Sequence, residues 1–166
     1  MPYLKFIALI CLLGSSLQVS AEDRSQVLIH ADSMQLDINT GNSVYRGNVS
    51  FVQGSTRLSG DTVTVNSKNG SINTVKIEGS PARYSDTSPA GRVLAESSRM
   101  EYSVLNNQLS MEGAARLEQD DRVVQSQHII YDTEKQLILA GQPAGETSDP
   151  DQRVNIILTP KKDRTP

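Results

Sequence analysis

Apolar and polar residues alternate along Ile29 to Phe51 in three short runs: Ile29 and Ala31, then Met34 and Leu36, then, past a polar turn at Asp37 to Gly41, Tyr45, Val49 and Phe51. A period of two over runs this short predicts β-strands with one covered face, separated by a corner at Asp32-Ser33 and by the turn. Shifting the register by 66 residues fills the same columns without a gap, Met34 over Met100, Leu36 over Tyr102, Tyr45 over Met111, Gly47 over Gly113 and Phe51 over Leu117. Two intermediate copies make a unit that recurs four times.

In each unit a corner opens on a small residue, as in Ala31-Asp32-Ser33, Gly60-Asp61-Thr62, Ser97-Ser98-Arg99 and Ser126-Gln127-His128. Each corner leads, after a turn, to alternate apolar sites closed by a glycine: Tyr45 and Gly47, Ile77 and Gly79, Met111 and Gly113, Leu139 and Gly141. One such unit cannot bury its apolar face alone, but units stacked at about 4.8 Å per strand pair their backbones and align their inward residues. The predicted fold is all-β, a folded-over β-jellyroll of two facing, mainly antiparallel sheets built from four repeated units.

The alternation assigns an inward face. It takes Ile29, Met34 and Leu36 from the first runs, Tyr45, Val49, Phe51 and Leu58 from the next, and then Val63, Val65, Val75 and Ile77. Further along it takes Met100, Tyr102, Leu109, Met111 and Leu117, and finally Val124, Ile129, Tyr131, Leu137 and Leu139. With 2 Phe, 5 Tyr and no Trp in the chain, small and medium side chains dominate this face, so two facing sheets are expected to leave an apolar trough between them. Turn signals fall at Asn39-Thr40-Gly41, Lys68-Asn69-Gly70 and Asn106-Asn107, and Ser85 to Arg92, with Pro89 and Gly91, is expected to be the longest connection between units. A last strand is expected at Val154, Ile156 and Leu158, stopped by Pro160.

Residues 1–21 read as a cleavable signal peptide: Lys5, then the apolar run Phe6 to Leu13, then Val19-Ser20-Ala21 before acidic Glu22-Asp23. The run is too short for a spanning helix. Cleavage would remove the only cysteine, Cys11, and leave 145 of the 166 residues as one domain with no disulfide, carrying 15 basic and 19 acidic residues. A mildly acidic chain gives no reason to expect nucleic acid as partner.

Catalytic motifs are lacking: there is no nucleophile elbow and no phosphate-binding loop, and the chain is not expected to be an enzyme. His30 falls on the outward side and His128 at a corner. Asp32 and Asp61 share the corner column with Ser98 and Gln127, so the column supplies turn-forming side chains rather than the cluster of acids that a β-solenoid polysaccharide enzyme would need. Asp149 and Asp151, flanking Pro150, offer at best a weak calcium site. No cofactor or metal is expected.

The segments LDINTGNSVYRGNVSFVQG, SGDTVTV and RMEYSVLNNQLSMEGAARL, taken with the leader, resemble the OstA-like family of periplasmic lipopolysaccharide-transport proteins, over Val27 to about Leu158. The resemblance implies a β-jellyroll over residues 22–159, followed by a solvated tail at 160–166. It also implies a hydrophobic groove for the acyl chains of lipid A, which falls here on Val27, Ile29, Phe51, Met100, Tyr102 and Leu117. Partners implied are lipopolysaccharide, an inner-membrane transport component, an outer-membrane translocon and further copies joined head to tail. The joining edges would be Val27, Ile29 and Ala31 at one end and Val154, Ile156 and Leu158 at the other. The alternatives are another OstA-like component of the same system, a β-solenoid polysaccharide-binding or -cleaving protein, or a structural roll with a filled core.

Overall fold

The computed structural model describes residues 26–88, 91–141 and 153–158. The leader at residues 1–21, the Asp149 and Asp151 pair and the tail from residue 160 lie outside the described residues. Among the described residues there are strands and turns but no helix, and so none long and apolar enough to cross a membrane.

The strands are β1 (Val27–His30), β2 (Ser33–Leu36), β3 (Ser43–Gln53), β4 (Thr56–Lys68), β5 (Ser71–Ser88), β6 (Gly91–Ser103), β7 (Gln108–Gln119), β8 (Arg122–Asp132), β9 (Leu137–Ala140) and β10 (Asn155–Leu158). They form a single 10-stranded antiparallel sheet in the order β1-β3-β4-β5-β6-β7-β8-β10, with β2 also on β3 and β9 also on β8. Six of these, β3 to β8, run 11 to 18 residues, so the middle of the protein is built from long bent strands where the alternation suggested short ones.

The bend has a local cause. Ladder register shifts between Arg46 and Val49, Ser59 and Thr62, Glu78 and Ala82, Glu96 and Arg99, and Glu112 and Ala115, which lie beside one another across the sheet. Bulges bend a strand and increase its twist. At two of them a glycine is required: Gly47 has φ 81° and Gly113 φ 77°, and a side chain on either would run into the corner residue of the strand beside it, Asp32 or Ser98. Asp32 is held there by its own amide, which donates to Arg46 O and Gly47 O, and by its carboxylate, which accepts from Asn48 Nδ2 at 3.1 Å.

The line of bulges divides the sheet into two arms. The first holds β1, Val49 to Gly60, Ala82 to Ser97, Ala115 to Ser126 and β10. The second holds β2, Ser43 to Arg46, Thr62 to Glu78, Arg99 to Glu112, His128 to Asp132 and β9. Hairpin turns close the free tips. Asn69-Gly70, both at positive φ, join β4 to β5 as the sequence predicts. At Asp37 the carboxylate accepts from the amides of Asn39 (2.9 Å) and Thr40 (3.3 Å), which holds its carboxyl below the usual carboxylate range. The stretch Ser85 to Arg92 is not a long connection: β5 continues to Ser88 and β6 begins at Gly91, with Ser88 opposite Gly91.

Outward faces are polar and carry cross-strand ion pairs such as Lys76 with Glu101 (3.3 Å), Arg83 with Glu96 (3.1 Å) and Arg99 with Glu78 (3.1 Å). Solvent-exposed pairs of this kind add little stability each. The core lies between the arms.

Candidate functional site: the apolar slot between the arms

Antiparallel partners put their side chains on the same face, so the registers define rows running across the inner surface. In the second arm the row nearest the bend runs Met34, Tyr45, Val63, Ile77, Met100, Met111, Ile129 and Ala140. The next row towards the tips runs Leu36, Ser43, Val65, Val75, Tyr102, Leu109, Tyr131 and Ile138. In the first arm the facing row is Ile29, Phe51, Leu58, Tyr84, Ala95, Leu117, Val124 and Ile156. Each row is a largely apolar strip spanning the whole width of the sheet, Ser43 being the one aliphatic hydroxyl among them.

In the middle of the slot the strips pack on each other. Val63, Ile77, Met100, Met111 and Ile129 have no accessible surface, and Val49, Phe51, Leu58 and Leu117 have at most 1 %. The arms also touch through the rings of Tyr84 and Tyr102. Among the described residues all ladder pairing lies within one arm or the other, so these arms are joined through the bent strands at the corner and by side-chain packing. Parting them would therefore break apolar contacts, which an alkyl chain replaces in kind, and leave the backbone ladder intact.

At its two ends the slot is uncovered. Val27, Ile29 and Tyr45 are half-buried at one end, and Ile138 and Ala140 at the other. Met34 and Leu36 share the inward face but are 57 % and 49 % exposed, because β2 is an end strand that no described residue packs over; they are open lining, not closed core. Leu137 and Leu139, assigned inward from the sequence, face outward: Leu137 lies opposite Asp132 and Leu139 opposite Ile130, while Ile138 and Ala140 take the inner positions. Val154, Ile156 and Leu158 are exposed at the β10 edge, and Ala31 lies just past the end of β1 and is exposed as well.

The sequence reading missed Ala82, Tyr84, Val93, Ala95 and Ala115, all buried in the same core. The alternation of the first four was present in PARYS and RVLAES, but Pro89 and Gly91 drew the strand boundary too early on both sides. Of the inward tyrosines Tyr84, Tyr102 and Tyr131, Tyr84 is the most perturbed. Burial pushes its phenol well above the ordinary tyrosine range, and the Asp86 carboxylate, to which it is hydrogen-bonded, adds to the effect. Burial also raises Tyr102, partly offset by a hydrogen bond with Thr133, and it raises Tyr131 together with the charges of Asp86 and Asp132.

Other candidates fall away from the slot. His30 is exposed on the outward side opposite Ser50, and His128 Nε2 meets Ser110 Oγ at 3.3 Å near the corner. Among the described residues no group of three or more His, Cys, Asp or Glu side chains could hold a metal ion. A hollow of about 470 Å³ is lined by Arg57, Arg83, Arg92 and Arg116, but it lies on the outer surface of the first arm, where Arg83 and Arg116 are paired with Glu96 and Glu118.

Residues 28–137 match the family model of the LptA/(LptD N-terminal domain) LPS transport proteins. The chain belongs to this family. The lipopolysaccharide export system protein LptH of Pseudomonas aeruginosa is 35 % identical over 156 residues, covering 90 % of this chain and 89 % of that protein. The lipopolysaccharide export system protein LptA of Escherichia coli is 26 % identical over 147 residues, covering 87 % of this chain and 76 % of that one. The crystal structure of LptH, described as the LptA-homologous periplasmic component of the lipopolysaccharide transport device of Pseudomonas aeruginosa, superposes with a TM-score of 0.74 at 31 % identity, over 84 % of this chain and all of that one. This all-β jellyroll is thus the fold of an LptA-family member.

Proposed function

We propose that the chain is a periplasmic carrier that takes the acyl chains of lipopolysaccharide into the slot between its arms. It passes them between an inner-membrane transport component and an outer-membrane translocon, joined head to tail with copies of itself or with similar domains. A leader removed at about residue 21 would deliver it to the periplasm. The observation that carries this reading is the apolar inner surface, which spans every strand of the sheet and is uncovered at both end strands.

Each methylene kept from water is worth about 0.8 kcal/mol, so one ~12-carbon chain crossing unaided would face a barrier near 10 kcal/mol. A slot continuous from one copy to the next removes most of that barrier. Since the sequence holds no phosphate-binding loop, the movement would be driven by a partner at the inner membrane. Among the described residues the end strands pair on one side only, and β1 with β2 at one end and β9 with β10 at the other can extend the sheet by strand addition.

A photo-crosslinking residue at Phe51 or Tyr102 should capture lipopolysaccharide in cells, and one at the outward Gln35 should not. Capture at Gln35 alone would refute the slot as the lipid path.

A further inference from the structure

The inner face changes character towards the tips of the first arm. One step beyond the hydrocarbon row of Phe51, Leu58, Tyr84 and Leu117, the registers put Gln53 opposite Thr56, Asp86 opposite Val93, Val93 opposite Gln119, and Gln119 opposite Arg122. Every one of these residues shares the inward face, so the slot is apolar in depth and polar at its mouth. Gln119 is 9 % exposed, a side-chain amide buried at the rim of a hydrocarbon core. Asp86 receives the Thr87 amide at 2.8 Å and is hydrogen-bonded to Tyr84, whose ring lies against Tyr102 of the other arm.

Buried polar groups at the edge of an apolar cavity fix the orientation of a ligand whose body is apolar. An acylated sugar has that division: its alkyl tails carry no hydrogen-bonding groups, whereas hydroxyl and amide groups sit where the tails join the sugar. We propose that Asp86, Gln119 and the Tyr84 and Tyr102 phenols form a subsite at the mouth of the slot for those hydroxyl and amide groups. The subsite rests on the acyl-slot reading above and adds a preference to it. The Asp86 carboxylate accepts from N–H and O–H donors, so the sugar is held there by its neutral donors.

The test compares two ligands on the full mature chain: lipid A, and a fluorescent alkyl probe with no sugar. Asp86→Asn keeps the shape and removes the charge, and Asp86→Leu removes the hydrogen bonding. A hydrogen bond to a charged group corresponds to about tenfold in affinity. Both variants should therefore lower the ratio of lipid A affinity to alkyl-probe affinity, Asp86→Leu by about tenfold and Asp86→Asn by less. An unchanged ratio in both variants overturns the subsite while leaving the slot standing. Wild-type protein that binds neither ligand overturns the slot, and the subsite with it.

Discussion

The rings of Tyr84 and Tyr102 lie with centroids 6.3 Å apart and planes inclined by 43°, one ring on each arm of the bent sheet. A tilted pair at this separation is an attractive arrangement for two aromatic quadrupoles, and it ties the arms together near the mouth of the slot. Burial does the rest: it keeps both phenols neutral, because a phenolate there would lose its hydration.

That neutrality has a consequence for alkaline stability. A phenol whose folded value lies above its unfolded one, ordinarily 10.0, is protonated in both states below that pH. As pH climbs past it, the unfolded chain loses its proton first, so the contribution to stability is whole below about pH 10 and is lost as pH rises towards the raised folded value. The urea midpoint should fall as pH rises above about 10. Tyr84→Phe should flatten that fall without abolishing it, since Tyr102 and Tyr131 remain. An identical slope in the variant would mean that Tyr84 ionises as freely in the fold as out of it.

Met111 and Leu139 were indistinguishable by pattern, each an apolar residue two places before a corner glycine, yet Met111 is wholly buried and Leu139 is 54 % exposed. Met111→Ala leaves a cavity between Met100 and Ile129 and should cost about 2–5 kcal/mol in chemical denaturation. Leu139→Ala should stay within about 0.5 kcal/mol of wild type. Comparable losses at both positions would contradict the β8–β9 register.

The contrast between those two residues shows how far alternation reaches. In β7 the segment Gln108 to Met111 alternates and has a single apolar face; in β9 the run Leu137-Ile138-Leu139-Ala140 is apolar throughout, so only its pairing with β8 chooses the face. Met34 and Leu36 were put on the correct face, but whether a face is covered depends on what lies over it, and no residue within the strand records that β2 is an edge. The corners were legible because glycine and small residues there answer a local need: Gly113 stands where Ser98 leaves no room for a side chain. Long strands were harder to see, since a bulge interrupts the period of two and divides one strand into two short ones.

The end strands carry the last prediction. β10 is held on one side by β8, with Ile156 opposite Val124, and the exposure of Ile156 (62 %), Ile157 (54 %) and Leu158 (65 %) leaves an apolar edge. The opposite end presents Leu28 (55 %), Met34 and Leu36 in the same condition. Two apolar edges that no described strand pairs are a liability unless they meet a matching strand, and each end is the kind of surface the other needs. Ile156→Pro removes an N–H from the edge and fixes a backbone angle poorly suited to a ladder, yet it touches a strand of 4 residues at the margin of the core. The variant should keep its β-type circular dichroism while its mean mass by light scattering falls towards that of a single chain. A mass distribution unchanged from wild type would remove the β10 edge from the assembly, and wild-type protein that stays a single chain at every concentration would remove end-to-end joining altogether.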